Sequence, residues 1–373
     1  MPKTTGRKPT HVSAKRKTTK TVKRAARKRT SRQPARVTAR RAAAASVLPT
    51  GPVTLKEARA LAIATTPAAA AGVAKPAPSP AEVGHEREAL ARRQEEERRR
   101  RIREYTATLT IMKARGVKGL GAVGAANPLQ IFAEGDSWFD YPFPGFGGGI
   151  ITRLEKRLEV PILNLATAGD EVRYMLGVKE RRIIAAQFTN GCPAGGPWDA
   201  MLFSGGGNDI VDNPMALWIR DYAPALPAAQ QINQPRLDAA LAIVRAGYED
   251  LIELRNRLSP ATQIFLHAYD FAIPDGRKVC HLGPWLKPTF DLRGFPDLAS
   301  GSAVTRVMLE QFAAVLQSLA KKHPNVTFIN AQGTLAPVPA SWHNELHPAK
   351  AGFNAFADTF HDRLKQAFPG RVL

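Results

Sequence analysis

The segment Ile131-Phe-Ala-Glu-Gly135-Asp136-Ser137-Trp138-Phe139 places a serine a few residues after a short apolar run. The segment 129–133 is short and apolar, which predicts a strand buried in a sheet. It runs directly into Gly-Asp-Ser, so we expect Ser137 at the end of that strand, held by the sheet and exposed at its edge. Because Gly-Asp-Ser is also ordinary turn chemistry, the tripeptide by itself leaves open whether Ser137 is a nucleophile or a turn residue.

Outward from this strand, short apolar segments alternate with amphipathic ones. Further strands are expected at 160–166, 200–204, 263–268 and 326–330, and helices at 150–158, 236–258, 304–322 and 349–367. Such alternation is typical of a parallel sheet covered by helices on both faces. The predicted fold class is therefore α/β, a three-layer α/β/α domain with a flavodoxin-like, five-stranded parallel sheet. Ligands bind such sheets outside the carboxyl ends of the strands.

The N-terminal third differs in composition from the rest of the 373-residue chain. Residues 1–50 contain sixteen Lys and Arg and no Asp or Glu, which accounts for most of the net charge of +21. Residues 1–80 lack hydrophobic periodicity, which predicts a disordered basic tail and linker with one short helix at 55–64. Residues 81–128 predict a charged helical arm and a glycine hinge, and the arm fits either a single exposed helix or a coiled-coil or docking helix. The globular domain is expected at 129–373.

The basic tail predicts nonspecific contact with polyanions, either nucleic acid or an anionic membrane surface, through residues 1–50. No aromatic side chain is interleaved there, so base stacking is not expected, and a solvated extension without a partner is the alternative. No segment reaches the roughly 18 apolar residues of a membrane span. No apolar stretch follows the basic N-terminus as in a Sec signal, which predicts a cytoplasmic protein, with non-Sec export or an organelle transit peptide as alternatives.

Three further polar segments follow predicted strands or precede the last predicted helix. They are Asn164–Asp170 (NLATAGD), Phe203–Asp209 (FSGGGND) and Trp342–Pro348 (WHNELHP). Together with Gly-Asp-Ser, and in this order, they resemble the four sequence blocks of the SGNH hydrolases, also called GDSL lipases and esterases. The resemblance covers about residues 129–367. It implies a serine hydrolase that cleaves a small-molecule or lipid ester of a carboxylic acid.

The resemblance also implies a role for each motif residue. Ser137 corresponds to the nucleophile, and His347 corresponds to the base that takes its proton. The backbone N–H groups of Ser137 and Gly169 and the side-chain amide of Asn208 correspond to the donors of the oxyanion hole. Such donors stabilise the negative charge that develops on oxygen in a tetrahedral acyl intermediate. The plain structural alternatives are a turn cap for Asn208, a loop glycine for Gly169 and a helix-start residue for His347.

The third member of the expected triad departs from the family pattern. The family usually has Asp three residues before the histidine, where this chain has Asn344. An amide oxygen can accept the imidazole N–H, but it stabilises the developing imidazolium less than a carboxylate does. Glu345 lies one residue nearer to His347, and a backbone carbonyl is a further alternative. The sequence leaves these orienting groups open, with Asn344 ahead of Glu345.

Metal and nucleotide chemistry fit the sequence less well. His343 and His347 have the two-His spacing of a zinc helix, but the Glu between them is misplaced, and Pro348 predicts that a helix starts there. We therefore expect no metal and no cofactor.

Two alternatives to an ordinary esterase stay open: a polyanion-binding protein with an idle hydrolase domain, and an effector that cleaves lipid or cell-wall esters. The pairing of Cys192 with Cys280 and the oligomeric state stay open as well.

Overall fold

Five parallel strands form the centre of the computed structural model, which describes residues 52–65, 83–115, 128–143, 145–279 and 282–372. The strands are β1 (Ile131–Gly135), β2 (Ile162–Asn164), β3 (Ala200–Ser204), β4 (Gln263–His267) and β5 (Val326–Ile329), in the spatial order β2-β1-β3-β4-β5. Every residue of β1 and β3 is buried, which explains the apolar runs 131–133 and 200–203. The predicted α/β class with five parallel strands is confirmed.

Helices flank this sheet on both sides. They are α1 (Leu55–Thr65), α2 (Val83–Arg115), α3 (Ile150–Leu158), α4 (Val172–Met175), α5 (Val178–Asn190), α6 (Gly207–Ile210), α7 (Gln234–Leu258), α8 (Lys287–Leu292), α9 (Leu298–Lys322) and α10 (Lys350–Ala367). Helices α3 and α10 pack against each other, while α7 packs against α4, α5 and α9. The sequence analysis did not predict α4 or α5.

Capping explains why α9 begins six residues before its predicted start. The predicted helix starts at Val304 because the apolar periodicity begins there. The side chain of Asp297, however, accepts a hydrogen bond of 2.8 Å from the backbone N–H of Ser300. An N-cap of this kind satisfies a backbone donor that has no partner inside the helix, so it sets the helix start independently of the apolar pattern.

The charged helix α2 packs onto the described domain. Its Tyr105 and Leu109 are buried in the main hydrophobic core. Its Met112 forms a smaller cluster with Val53, Leu55 and Ala58 from the α1 region. Of the two interpretations left open for the arm, these contacts favour docking.

The helix predicted at 55–64 is present as α1, and both N-terminal helices belong to the same compact unit as the sheet. The rest of the predicted tail and linker, at 1–51 and 66–82, and the glycine hinge at 116–127 lie outside the described residues.

Two of the open sequence questions receive a partial answer. Cys192 is buried and forms no disulfide with a described residue, and its Sγ lies 3.5 Å from the hydroxyl of Tyr105; Cys280 lies outside the described residues. Within the described ranges, no helix is long and apolar enough to cross a membrane.

Candidate active site

The carboxyl ends of β1 and β3 place two of the four sequence blocks side by side. Gly135 pairs with Ser204 in the register of these strands, so Ser137 and Asn208 follow from neighbouring strand ends. A Cβ atom at position 135 would lie 2.7 Å from the backbone oxygen of Ser204, so only glycine allows this approach. Ser137, Asn208 and His347 line one pocket. The structure therefore brings together residues that lie far apart in the sequence, because parallel strands end at a common edge.

Ser137 and His347 form the central contact of this pocket. The Oγ atom of Ser137 lies 2.6 Å from Nε2 of His347. On the other side of the imidazole ring, Nδ1 lies 2.9 Å from Oδ1 of Asn344. Both side chains of the pair are buried. This is the geometry of a hydroxyl nucleophile, a base and an orienting group.

The hydrogen bonds of Asn344 determine which nitrogen of His347 carries the proton. The backbone N–H groups of Leu346 and His347 both donate to Oδ1 of Asn344, each over 2.9 Å. Since an N–H group can only donate, the atom facing them is the amide oxygen and not the NH₂ group. The same oxygen faces Nδ1 of His347, so Nδ1 must hold the hydrogen. The lone pair of Nε2 then points at the hydroxyl of Ser137, as a general base requires.

Burial keeps the imidazole of His347 neutral. Loss of solvent, with a smaller contribution from the neighbouring His343, lowers the pKa of His347 from its ordinary 6.5 to about 3. The rings of Tyr141 and Trp285 account for part of this shielding, with centroids 4.7 Å and 5.8 Å from the imidazole centroid. A neutral imidazole can accept a proton, so His347 is ready to act as a base at neutral pH.

Glu345, the alternative orienting residue, faces away from this contact. Its carboxylate accepts hydrogen bonds from the backbone N–H groups of Gly276, Trp285, Leu286 and Lys287, at 2.5 to 3.0 Å. The last three precede or begin α8, so Glu345 satisfies donors at the start of that helix. The structure thus places Asn344 against His347, whereas Glu345 binds the backbone at Gly276 and at 285–287.

The expected oxyanion donors are arranged at the same edge. Among the described residues, no group accepts a hydrogen bond from the backbone N–H of Ser137 or of Gly169. Gly169 has a φ of +89°, a conformation that glycine adopts without strain. The side-chain Nδ2 of Asn208 donates over 2.9 Å to the backbone oxygen of Asp170, which leaves its second hydrogen for another acceptor. Gly169 is not among the residues that line the pocket itself.

A buried polar chain next to Ser137 was not identified from the sequence. Asp136 accepts hydrogen bonds from Ser204 Oγ at 2.9 Å, from the hydroxyl of Tyr269 at 2.5 Å and from the backbone N–H of Trp138 at 3.0 Å. His267 continues the chain, with Nε2 2.8 Å from Ser204 Oγ. The last of these bonds holds the turn that follows β1. Ser204 and His267 gave no sequence signal because they lie within strands whose pattern is explained by burial.

Tyr141 is a second residue that the sequence analysis missed. Its hydroxyl accepts a hydrogen bond from Asn344 Nδ2 over 3.2 Å and lies 2.5 Å from Nδ1 of His343. His343 therefore interacts with Tyr141, whereas His347 interacts with Ser137 and Asn344. Among the described residues, no group of three His, Cys, Asp or Glu side chains is placed to hold a metal ion.

Comparison with known proteins adds distant similarities. No protein-family model matches the chain, and no curated protein matches it. The chain is similar to the lipase Lip_vut3 from a goat rumen metagenome, with 16% identity over 66% of this chain and 100% of that one and a TM-score of 0.43. It is also similar to an extracellular lipase from Streptomyces rimosus, with 16% identity over 63% of this chain and 99% of that one and a TM-score of 0.37.

A third similarity is to phospholipase A1 from Streptomyces albidoflavus NA297, with 12% identity over 62% of this chain and 98% of that one and a TM-score of 0.37. Identities and TM-scores this low carry no information on activity. The case for an activity therefore depends on the geometry of the site.

Proposed function

We propose that the protein is a serine hydrolase of the SGNH type that cleaves carboxylic esters, with Ser137 as nucleophile and His347 as base. The observation that carries this proposal is the 2.6 Å contact between Ser137 Oγ and His347 Nε2 in a pocket with apolar walls. The order of the four sequence blocks supports the same assignment. Asn344 fixes the tautomer that the base needs.

Acylation begins when Ser137 Oγ attacks the carbonyl carbon of the ester and passes its proton to Nε2 of His347. The electron pair of the C=O bond moves to oxygen. That oxyanion accepts hydrogen bonds from the backbone N–H groups of Ser137 and Gly169 and from the side-chain amide of Asn208. When the C=O bond re-forms, the bond to the alkoxy oxygen breaks. This oxygen takes the proton from His347 and leaves as the alcohol.

Deacylation repeats the sequence with water as the nucleophile. His347 accepts a proton from water, whose oxygen attacks the acyl carbon, and the same donors stabilise the second oxyanion. Breakage of the bond to Ser137 Oγ returns the proton from His347 to the serine and releases the acid. The imidazolium exists only transiently, which is compatible with its burial and with an amide as orienting group.

Hydrolysis of p-nitrophenyl acetate and labelling by a fluorophosphonate test this mechanism. We expect Ser137→Ala and His347→Ala each to lower kcat by about 10³-fold or more, because nucleophile and base act as one unit. For the same reason, the double variant should be little worse than either single variant. Mass spectrometry should find the phosphonyl group on the peptide that contains Ser137.

Two results would contradict the mechanism. Near-wild-type turnover by Ser137→Ala would exclude this serine as the nucleophile. A folded wild-type protein that neither reacts with the fluorophosphonate nor hydrolyses any ester would favour the alternative of an idle hydrolase domain.

A further inference from the structure

The pocket beside Ser137 has mostly hydrocarbon walls. Leu286 and Leu346 lie on the side of the catalytic loops, while Met308 and Leu309 come from helix α9. Val211, Ala272 and Trp138 also line the pocket. Because Ser137 and His347 belong to the same pocket, a group placed in it would lie next to the reacting atoms. The pocket therefore suits the acyl part of an ester.

The volume of this pocket, about 40 Å³, limits what it can hold. A single water needs roughly 10–15 Å³ by a comparable measure, whereas a cavity that binds benzene measures about 150 Å³. By this comparison, we expect room for a chain of one or two carbons beyond the carbonyl, but not for a hexanoyl chain or an aromatic ring.

The walls of the pocket are held from several directions, so it does not widen easily. Leu286 is buried, and its backbone N–H donates over 2.8 Å to the carboxylate of Glu345. Met308 and Leu309 are 1% and 4% exposed within a 25-residue helix. Interiors packed in this way resist expansion by even one methylene group. Met308 is the longest aliphatic side chain of this lining, so its truncation is expected to enlarge the pocket most.

We propose that the natural substrates are esters of short acyl groups, acetyl or propionyl. The inference rests on the proposed function, because it takes Ser137 as the site of acylation. Long-chain lipid esters are then poor substrates, since their acyl chain finds no room beside the nucleophile. The alcohol part of the ester lies outside this pocket and is not restricted by it.

The test is kcat/KM for p-nitrophenyl acetate, butyrate, hexanoate and octanoate. We expect acetate to be the best of the four and octanoate to be slower by about 100-fold or more, since one methylene group in a fitted pocket changes rates by roughly 10–200-fold. Met308→Ala should raise kcat/KM for hexanoate by about tenfold or more while acetate loses activity. Met308→Leu, which conserves the side-chain volume, is the matched control and should keep the wild-type order.

The possible failures are distinguishable from one another. Octanoate turnover equal to acetate turnover, together with loss of both in Ser137→Ala, overturns the short-acyl proposal and leaves the serine mechanism in place. Acetate turnover that is unaffected by Ser137→Ala overturns the proposed function itself. A chain-length order that is identical in Met308→Ala and Met308→Leu, with both variants folded, overturns the assignment of Met308.

Contacts of helix α2 carry a second, independent inference. Arg101 donates to the backbone oxygen of Ala166 over 2.9 Å and to the carboxylate of Asp140 over 2.8 Å. Ala166 belongs to the segment 164–170, which leads to Gly169. Asp140 belongs to the turn after the nucleophile, where its N–H donates over 3.0 Å to the backbone oxygen of Asp136. One guanidinium therefore joins the loop of the serine to the loop of an oxyanion donor.

Arg98, also on α2, binds the segment 164–170, which leads to Gly169. It is 4% exposed and donates to the backbone oxygen of Leu165 at 3.4 Å and to Thr167 Oγ1 at 3.3 Å. It also forms ion pairs with Asp170 at 3.5 Å and Glu180 at 2.9 Å. Asp170 is the residue whose backbone oxygen binds the amide of Asn208. Two arginines of α2 thus hold the segment 164–170. This segment contains Gly169 and, through Asp170, binds Asn208, and these are two of the three expected oxyanion donors.

The geometry points to Arg98 and Arg101 as positioning residues for the oxyanion hole, although they lie in the charged N-terminal helix outside the four sequence blocks. Misplacement of a catalytic group by about 1 Å costs up to about 100-fold in rate. Loss of either guanidinium therefore slows the chemical step more than it weakens ground-state binding of the ester.

Steady-state kinetics of Arg101→Met on p-nitrophenyl acetate tests this second inference. We expect kcat to fall by about tenfold or more while KM changes by less than about threefold. Arg101→Lys should recover part of kcat, because an ammonium can reach one of the two acceptors. Arg103→Met changes an exposed arginine of the same helix and serves as the control.

Arg98→Met follows the same design, and thermal unfolding identifies any variant that does not fold. If both Arg98→Met and Arg101→Met fold and keep the wild-type kcat, the positioning role is overturned. A rise in KM at constant kcat in these variants also overturns it, because that pattern marks lost substrate binding.

Discussion

At the scale of single residues, Asn344 separates two tasks that a carboxylate usually performs together. Its amide oxygen orients His347 and fixes the tautomer through three accepted hydrogen bonds. It carries no charge, however, so it adds little to the stability of the imidazolium that forms during the reaction. Burial, with a smaller contribution from His343, lowers the pKa of His347, and the uncharged Asn344 does not oppose this shift as a carboxylate would.

The pH dependence of kcat/KM follows from this pKa. In the wild-type protein, His347 with a pKa of about 3 stays neutral down to mildly acidic pH, so we expect kcat/KM to hold its plateau to about pH 5. Asn344→Asp places a negative charge beside the ring, which raises the pKa of His347 and moves the acid limb up by about one unit or more. The plateau itself should be preserved or raised. An unmoved acid limb in Asn344→Asp would contradict the contact between these two side chains.

Asn344→Ala and Glu345→Gln test two separate roles. The first tests whether Asn344 orients His347, and the second tests whether Glu345 supports the backbone before α8. Asn344→Ala removes the acceptor for Nδ1, so we expect kcat/KM to fall by about tenfold or more. Glu345→Gln puts an NH₂ group against backbone donors, which should lower the free energy of unfolding by about 1–3 kcal/mol and leave the acid limb in place. Urea denaturation and the pH profile of both variants check these outcomes. A shifted acid limb in Glu345→Gln would instead mean that Glu345 acts on His347.

At the scale of elements, one buried arginine joins a helix end to the sheet far from the site. Arg255 near the end of α7 is fully buried and donates to the backbone oxygens of Thr262, Pro324 and Asn325, at 2.5 to 3.0 Å. Thr262 precedes β4, and Asn325 precedes β5. The guanidinium therefore fixes the amino ends of β4 and β5, and the residues Tyr269 and Asp270 that follow β4 line the pocket.

Arg255→Met should destabilise the protein without changing its chemistry. The substitution leaves buried carbonyl groups without donors, so we expect the free energy of unfolding to fall by about 2–3 kcal/mol. Since the change lies at the opposite edge of the sheet from Ser137, kcat/KM per folded molecule should stay within about twofold. Urea denaturation and active-site titration measure the two quantities. A large loss of kcat/KM in a fully folded variant would show that the two edges of the sheet are coupled.

At the scale of the whole molecule, the basic N-terminal segment and the folded unit are expected to act independently. Residues 1–50 carry sixteen positive charges, and the remaining 323 residues have a net charge of only +5. The folded unit also includes α1, whose buried Leu55 and Ala58 contact Met112 of α2. A truncation that removes only the basic segment and one that also removes α1 should therefore differ in their effect on the stability of the folded unit.

Deletion of residues 1–49 should leave kcat/KM on p-nitrophenyl acetate within about twofold. The same deletion should weaken binding to DNA or to anionic vesicles and flatten its dependence on salt, because fewer counterions are released. Deletion of 1–80 should also lower the Tm, since it exposes the apolar face of α2 that α1 covers. Fluorescence titration at several salt concentrations and thermal unfolding check these outcomes. Equal Tm values for both truncated proteins would contradict a stabilising role for α1.

Local sequence patterns alone gave the fold class and the position of Ser137 at the end of the first strand. Continuous apolar runs such as 200–203 are typical of strands buried on both faces, and polar residues directly after such runs lie at the carboxyl edge of the sheet. Local patterns of this kind need no knowledge of distant contacts. For this reason the five strands and the longer helices were predicted within a few residues of their observed bounds, apart from the capped start of α9 and the unpredicted α5.

Only the tertiary structure decided between Asn344 and Glu345, placed α2 on the sheet edge and gave the pocket its size. Asn344 and Glu345 are adjacent in the sequence, and the direction each side chain takes depends on the turn that returns the backbone N–H of His343 to the backbone oxygen of His347 at 2.8 Å. The partners of Glu345 lie about 60 residues earlier in the chain, and those of Arg98 lie more than 65 residues later. Spacing and periodicity report on neighbours along the chain, whereas these contacts form only when packing brings distant segments together.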